Sequence, residues 1–384
     1  MTRFARRLAG IEPFHVMDIL ARARALEAQG HSVVHMEIGE PDFPTAPGIV
    51  EAGIAALKNG HTHYTPSLGL PALRAAIATN YPASCRPDPA RVIVTPGASG
   101  ALQLVFAALL SPGDEVLMAD PGYPCNRHFV RLFEGGAAGI PVDSSTNYQL
   151  TADIVRRHWT PKTVAVLLAS PSNPTGTLVP SSEMRRIAET VRELGGVLVV
   201  DEIYHGLTYG VDAESALQCG PDVFVINSFS KYYGMTGWRL GWVVAPEAYV
   251  PALDKLAQNI FLAASTPAQH AALAAFTPGV KQELERRREI FRTRRDYLLP
   301  ALRELGFRIP VTPEGAFYLY ADCSDFTGDS EHFANELLEQ AGVAITPGID
   351  FGTHRARSHV RFSYANTREN LEEGVRRLAE FLRR

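Results

Sequence analysis

Short apolar runs, each ending in glycine, proline or polar residues, recur through the first two thirds of the chain. Among them are RVIVT, TVAVLLAS, VLVVD and DVFVIN, which are continuous and rich in β-branched residues. Runs of this kind are typical of strands that are buried on both faces, as in a parallel sheet. Stretches with helical spacing, such as GALQLVFAALL, lie between them. The alternation predicts an α/β fold in which a mostly parallel sheet lies between helices.

The two ends of the chain have a different pattern. Residues 4–29 carry apolar positions at helical spacing and stop at Gly30, so we predict one N-terminal helix, followed by a strand in VVHMEI. After residue 246, helical stretches are followed by the strands GAFYLYADC, VAITPG and HVRFSYA. We therefore expect three parts: an N-terminal segment, 1–45, that packs with the small domain, a large domain, 46–275, and a smaller α+β domain, 276–384.

Length and charge narrow the possible classes of protein. At 384 residues, the chain exceeds what one simple hydrophobic core usually serves, which agrees with two domains. The net charge of −4 favours neither nucleic acid nor an anionic membrane surface as a partner. No apolar run approaches the roughly 18–20 residues of a membrane helix. Glu12, Pro13 and His15 interrupt the arginine-rich N-terminus, which argues against a signal peptide.

The cysteines are widely scattered and show neither a CxxC motif nor the spacing of zinc ligands. They are Cys85, Cys125, Cys219 and Cys323. We therefore predict neither a disulfide framework nor a metal site, and we expect a cytoplasmic protein.

Polar residues collect where three of the predicted strands end. Asn173 follows TVAVLLAS, Asp201 ends VLVVD, and Lys231 follows DVFVIN within SFSKYYGMTGWRLG. Desolvation at such a position lowers the pKa of a lysine and frees its lone pair for Schiff-base chemistry. A single lysine in a loop is more often a solvated charge. Three polar residues in the same relative position indicate a binding site at the carboxyl edge of the sheet.

The turn between RVIVT and the next helix is built from small residues, Gly97 to Gly100. The first N–H groups of a helix lack internal partners and suit a phosphate, and Arg239 would add a guanidinium fork. The turn matches neither the P-loop nor the GxGxxG pattern, so an ordinary strand-to-helix turn stays an alternative.

Two further positions can each be interpreted in two ways from the sequence alone. In HVRFSYA, Arg361 lies on the strand face opposite Val360 and Phe362, where it is either exposed at an edge or directed at an anion. In the rigid loop GEPDFPT, Gly39 either presents a backbone N–H to a ligand or belongs to a plain connection.

The motifs SNPTG, DEIY, SFSKYYGMTGWRLG and VRFSYA, in this order and spacing, resemble those of the class I and II aminotransferases. These are fold type I pyridoxal-phosphate enzymes of the aspartate aminotransferase superfamily. The resemblance extends from IGEPDF to the last strand, which is nearly the whole chain.

The resemblance implies roles around the cofactor, pyridoxal 5′-phosphate, in the large domain. Lys231 matches the lysine that bonds to the cofactor and later moves the substrate proton. Asp201 matches the carboxylate that pairs with the pyridine nitrogen. Tyr204 and Asn173 match the groups that donate to the cofactor's ring oxygen, and Tyr123 matches the aromatic residue that stacks on the ring.

The same resemblance assigns residues that bind the phosphate, residues that bind the substrate and a residue that reaches a partner subunit. The positions matching the phosphate cup are Ala98, Ser99, Ser228, Ser230 and Arg239. Arg361, with Asn173 and the Gly39 backbone, matches the group that holds the substrate α-carboxylate. Tyr64 is similar to the tyrosine that reaches the phosphate of a neighbouring subunit, which implies a homodimer with shared sites.

The function implied is the transfer of an amino group from an L-amino acid to a 2-oxo acid by a ping-pong mechanism, with 2-oxoglutarate as the expected acceptor, in amino-acid metabolism. A C–S β-lyase, a decarboxylase or a cyclopropane-forming synthase of the same fold would share these residues. A non-catalytic ligand-sensing relative is disfavoured because the chain shows neither an N-terminal winged helix nor a basic stripe.

The donor stays open at the level of sequence. Alanine, aspartate, aromatic and branched-chain amino acids are all compatible with these motifs. Several arginines remain candidates for binding a second carboxylate: Arg3, Arg6, Arg7, Arg22 and Arg127.

Overall fold

The computed structural model describes residues 3–383. In this part of the chain the strands are β1 (Val34–His35), β2 (Val92–Thr95), β3 (Glu115–Asp120), β4 (Gly136–Pro141), β5 (Thr163–Ala169), β6 (Val197–Asp201), β7 (Phe224–Ser228), β8 (Gly241–Val244), β9 (Tyr318–Asp322), β10 (Val343–Ala344), β11 (Thr346–Pro347) and β12 (His359–Ser363). The α-helices are α1 (His15–Ala28), α2 (Pro47–Lys58), α3 (Pro71–Asn80), α4 (Gly97–Leu109), α5 (Pro124–Leu132), α6 (Ala152–His158), α7 (Ser181–Glu193), α8 (Val250–Ile260), α9 (Thr266–Leu273), α10 (Pro278–Glu304), α11 (Ser330–Glu336) and α12 (Arg368–Leu382).

The large sheet has seven strands among the described residues, in the order β2-β8-β7-β6-β5-β3-β4. Strand β8 runs antiparallel to both of its neighbours, while the other pairings are parallel. This confirms the predicted α/β class with a mostly parallel sheet.

The continuous apolar runs are explained by a core on each face of this sheet. Along β5, Val166 and Leu168 belong to one hydrophobic cluster, and Ala165 and Leu167 belong to the other. Successive strand residues point to opposite faces, so a strand covered on both sides needs apolar residues at every position.

A three-stranded antiparallel sheet, β11-β12-β9, forms the centre of the C-terminal part. Its apolar face contributes Val360, Phe362 and Tyr364 to a third cluster. The N-terminal segment joins this part of the structure through β1, which pairs in parallel with β10. The domain bounds at residues 45 and 275 stay a prediction.

The N-terminal and C-terminal elements differ from their predictions. The single helix over 4–29 is instead a 3₁₀ turn at Arg6–Gly10 followed by α1. Pro13 disfavours helical backbone at the residue before it, which explains the break. The strand VVHMEI shortens to β1, and the strand predicted in VAITPG is divided into β10 and β11.

In residues 3–383, no helix is both long and apolar enough to cross a membrane.

Candidate active site

A cavity of about 540 Å³ lies at the carboxyl ends of β5, β6 and β7 and at the start of α4. The sequence-predicted residues that line it are Gly39, Ala98, Ser99, Tyr123, Asn173, Asp201, Tyr204, Ser228, Ser230, Lys231, Arg239 and Arg361. Tyr64 does not line the cavity and is 83% exposed.

Lys231 follows β7 and extends its amine into the cavity. Nζ donates to the Gly39 carbonyl oxygen at 2.5 Å and lies 6.0 Å from the centre of the Phe317 ring. Burial lowers the pKa of Lys231 to about 8, although the charge of Glu40 opposes this shift. A lysine in this state supplies an amine with an available lone pair more readily than a solvated lysine does.

Asp201 is the last residue of β6, and its side chain is buried. Oδ1 accepts a hydrogen bond from the Ile203 backbone N–H at 3.0 Å. Burial raises the pKa of Asp201 to about 7. One backbone hydrogen bond compensates little for the water that a buried carboxylate has lost. Asp201 therefore favours a cationic partner in the cavity, such as a protonated ring nitrogen.

Arg361 is 2% exposed and forms no ion pair with a carboxylate among residues 3–383. Nη1 donates to the Asn173 side-chain oxygen at 2.9 Å, and Nη2 donates to the Glu37 carbonyl oxygen at 2.5 Å. Nε is buried and has no hydrogen-bond partner within the described chain. Neutral acceptors therefore hold the guanidinium in place while its charge stays available to an anion.

The ring of Tyr318 lies against Arg361 and was not predicted from sequence. The guanidinium carbon is 4.3 Å from the Tyr318 ring centre, and the hydroxyls of Tyr318 and Tyr204 are 2.9 Å apart. Burial raises the pKa of both tyrosines. The alternation of Tyr318 and Tyr320 in β9 was a signal for two tyrosines on one strand face.

The expected phosphate site is a cradle made by the start of α4 and Arg239. Gly97 has φ of +72°, and a Cβ there would lie 2.7 Å from Nη2 of Arg239. Ser228 and Ser230, with their hydroxyls 3.0 Å apart, lie on the same cavity. Backbone N–H groups, hydroxyls and a guanidinium at a helix start fit a phosphate group.

Gly39 has a role at its carbonyl group that the sequence did not predict, while the expectation that its N–H assists a ligand stays a prediction. Its carbonyl oxygen accepts the Lys231 amine, and a Cβ at this position would lie 2.7 Å from the Tyr318 hydroxyl oxygen. Glycine is therefore required here for close approach.

The N-terminal segment supplies lining residues that sequence analysis missed: Phe14, Val16, Met17, Leu20 and Arg24. The Phe14 ring makes an edge-on contact with Tyr123 at 6.2 Å between ring centres. Helical spacing predicted the helix, but the face of it that meets the cavity depends on tertiary packing.

Three arginines considered for a second carboxylate have other contacts. Arg7 pairs with Glu134, and Arg22 pairs with Glu339. Arg127 lines a neighbouring cavity of about 550 Å³ and donates to the Asp350 carbonyl oxygen. Arg3 and Arg6 do not line the cavity of Lys231.

The chemistry of this donor set fits pyridoxal 5′-phosphate. The cavity combines an amine of lowered pKa, a buried carboxylate of raised pKa, an aromatic ring and a cradle that suits a phosphate. A cationic arginine remains for a substrate carboxylate.

Comparisons with known proteins find similar chains along nearly the full length of this one. The family model described as aminotransferase class I and II matches residues 31–378. The chain is 39% identical to the (5-formylfuran-3-yl)methyl phosphate transaminase of Methanocaldococcus jannaschii, over 98% of this chain and 99% of that one. It is 39% identical to the valine–pyruvate aminotransferase of Mycobacterium tuberculosis, over 97% of each. The structure of the Thermus thermophilus aspartate aminotransferase with maleate superposes with a TM-score of 0.94, at 36% identity, over 99% of this chain and 100% of that one.

Gly97→Ala is expected to weaken the binding of pyridoxal 5′-phosphate by at least about tenfold, because the added methyl group displaces Arg239. The measurement is the dissociation constant for the cofactor, from fluorescence titration of apoprotein. Gly113→Ala is the control, since φ is also positive there but the space around it is open. Each variant should lose about 1–2 kcal/mol of stability from backbone strain. Equal cofactor affinity in the two variants would contradict the cradle.

Proposed function

The chain belongs to the class I and II aminotransferases, a family of pyridoxal-phosphate enzymes, and we propose that it transfers an amino group from an L-amino acid to 2-oxoglutarate by a ping-pong mechanism. The observation that carries the proposal is the presence in one cavity of the Lys231 amine, the Asp201 carboxylate and the Arg361 guanidinium, which has no carboxylate partner among residues 3–383. A cytoplasmic setting is part of the proposal and is supported by four cysteines that are all free.

Pyridoxal 5′-phosphate, when bound, supplies a conjugated ring that draws electrons from the Cα of an attached amino acid. Arg239, the start of α4 and the hydroxyls of Ser228 and Ser230 would hold the phosphate. Asp201 would face the ring nitrogen, where its negative charge favours the protonated form of that nitrogen. Tyr204 and Asn173 would donate to the ring oxygen, and Tyr123 would pack on the ring.

Lys231 is proposed to carry the proton between Cα of the substrate and the cofactor. Its lowered pKa, about 8, makes the neutral amine accessible close to physiological pH, which a general base requires. The Gly39 carbonyl, 2.5 Å from Nζ, holds the amine at the cavity surface when it is not bonded to another group.

Arg361 and Asn173 are proposed to hold the α-carboxylate of each substrate in turn. An amino acid and a 2-oxo acid both carry this carboxylate, so one fixed guanidinium can position both. This sharing suits a ping-pong mechanism, in which the first product leaves before the second substrate binds.

A homodimer with shared sites is also proposed. Tyr64 is 83% exposed, and large apolar side chains are exposed in the neighbouring helix α2, at Ile54 and Leu57. A second copy that covered them would bury apolar surface and could bring its own Tyr64 towards the phosphate.

Lys231→Ala is expected to remove the absorbance band of the covalently bound cofactor and to lower turnover by at least about 10³-fold. The measurements are the spectrum of protein reconstituted with cofactor and the rate of amino transfer to 2-oxoglutarate. Lys255→Ala changes an exposed lysine on α8 and serves as the control. Near-normal turnover in Lys231→Ala would show that another group performs its role. Release of ammonia, pyruvate or CO₂ without amino transfer would indicate a lyase or decarboxylase instead.

Arg361→Ala is expected to weaken binding of carboxylate substrates by about 2–5 kcal/mol, because a buried charge pair is lost. The effect should appear in KM and in kcat/KM of the donor half-reaction. Arg308→Ala removes an exposed arginine that pairs with Asp325, so as the control it should leave both values unchanged. An unchanged KM for a good donor in Arg361→Ala would contradict the assignment.

Mixing Tyr64→Ala with Lys231→Ala tests whether sites are shared. If Tyr64 acts on the neighbouring site, each hybrid dimer contains one intact site, and equal mixing restores about a quarter of the sites. The measurement is activity after the two variants are mixed, dissociated and reassembled, compared with each variant alone. Absence of recovery, although hybrids form, would place Tyr64 in its own subunit's site or outside both.

A further inference from the structure

One face of α1 forms an apolar wall of the cavity. Met17, Leu20 and Arg24 are three and seven residues apart along the helix, a spacing that places them on one face. Phe14, just before the helix, extends the apolar part of this face towards Tyr123. We call Phe14, Met17 and Leu20 the α1 wall.

The α1 wall is held in place from its other side. Ile19 and Ala23 are buried in a cluster with Leu338 and Ala344, at the back of the helix. Met17, by contrast, is 54% exposed, which is consistent with a side chain that faces an open cavity. The helix is therefore docked by one face and presents the other to a ligand.

Asp350 fixes the end of α1 that lies nearest the reaction site. The N-cap residue, Phe14, has no side-chain acceptor, and Oδ1 of Asp350 accepts the His15 backbone N–H at 3.0 Å instead. The next residue, Phe351, lies against Arg361, with the guanidinium carbon 4.9 Å from its ring centre. One loop thus sets the position of the α1 wall relative to the arginine that would hold the substrate α-carboxylate.

The charges that this subunit contributes to the cavity leave little for an anionic side chain as short as that of aspartate. Under the proposed function Lys231, Arg239 and Arg361 already have roles. Among the lining residues that the structure describes, the remaining cation is Arg24, which is exposed, and the carboxylate other than Asp201 is Glu40, which is also exposed. An exposed guanidinium beside water contributes less than a buried one, and a carboxylate against the α1 wall would lose water without gaining a partner.

We propose that the α1 wall is the side-chain subsite and that it selects amino donors with uncharged apolar side chains, such as leucine, methionine and phenylalanine, over aspartate, whose side chain is one methylene shorter than that of glutamate. This inference rests on the proposed function and names its substrate class. Arg24, beyond the wall on the same helix face, is the group that a distal carboxylate such as that of 2-oxoglutarate must reach.

The test is the donor half-reaction of the holoenzyme, followed by the loss of the cofactor's absorbance band with single amino acids. Leucine, methionine or phenylalanine should react with kcat/KM at least about tenfold above that of aspartate. Leu20→Ala should lower this value about tenfold for the three apolar donors and leave L-alanine, whose methyl group is too short to fill the subsite, little changed.

Matched variants on the same helix distinguish an effect on donor selection from an effect on folding. Leu26→Ala removes a partly buried leucine that packs in the cluster behind α1, so it should not change the ratio of leucine to alanine. Arg24→Gln should raise KM for 2-oxoglutarate and leave KM for leucine unchanged. Arg22→Gln, which breaks a pair with Glu339, should change neither KM. Leu20→Arg should increase the rate with aspartate relative to leucine.

Binding of unreactive acids gives a readout that does not depend on turnover. By calorimetry, 4-methylpentanoate should bind the holoenzyme more tightly than maleate, and Leu20→Ala should remove the difference.

Several outcomes would overturn the inference. Faster reaction of aspartate than of every apolar donor would do so while leaving the proposed amino transfer intact. If Leu20→Ala lowered kcat/KM equally for all donors, including alanine, Leu20 would have a structural role and would not select donors. If no amino acid converted the cofactor, the proposed function would be wrong and the subsite inference would fall with it.

Discussion

The structure depends on holding opposite charges in one cavity without pairing them with each other. Asp201, Lys231 and Arg361 make hydrogen bonds to a backbone N–H, a backbone carbonyl and a neutral amide respectively, and none has an ion-pair partner within residues 3–383. Unpaired buried charges cost free energy, so this arrangement lowers stability until ligands of opposite charge arrive. The cavity is therefore built for binding rather than for stability.

This constraint requires both sheets. Asp201 and Lys231 come from loops and strand ends of the seven-stranded sheet, whereas Arg361 and Tyr318 belong to the three-stranded sheet. The contact between the Tyr204 and Tyr318 hydroxyls and the bond from Arg361 to Asn173 join the two at the cavity. The proposed α-carboxylate site consequently lies where the C-terminal sheet meets the carboxyl edge of the larger one.

The N-terminal segment completes the enclosure. Strand β1 pairs with β10, the Glu37 carbonyl accepts from Arg361, and the Gly39 carbonyl accepts from Lys231. Helix α1 then lies beside the cavity with its N-terminal end held by Asp350. Backbone groups of this segment thus orient two of the charged side chains, and its side chains shape the space beside them.

Local patterns in the sequence determined β2, β5, β6 and β7 and the polar residues at the ends of the last three, but not β4, which is largely exposed or half-buried and carries no continuous apolar run. Continuous apolar runs are typical of strands that are covered on both faces. Such runs lead into the polar residues Asn173, Asp201 and Lys231 at the carboxyl edge of the sheet. The roles of these residues, and of Arg361 and Tyr64, came from family resemblance rather than from periodicity. Tertiary structure alone decided which face of α1 meets the cavity, that Tyr318 supports Arg361, and that Asp350 caps a helix 335 positions away in the chain. Helical spacing specifies that a helix has faces, but contacts between residues distant in sequence decide what each face touches.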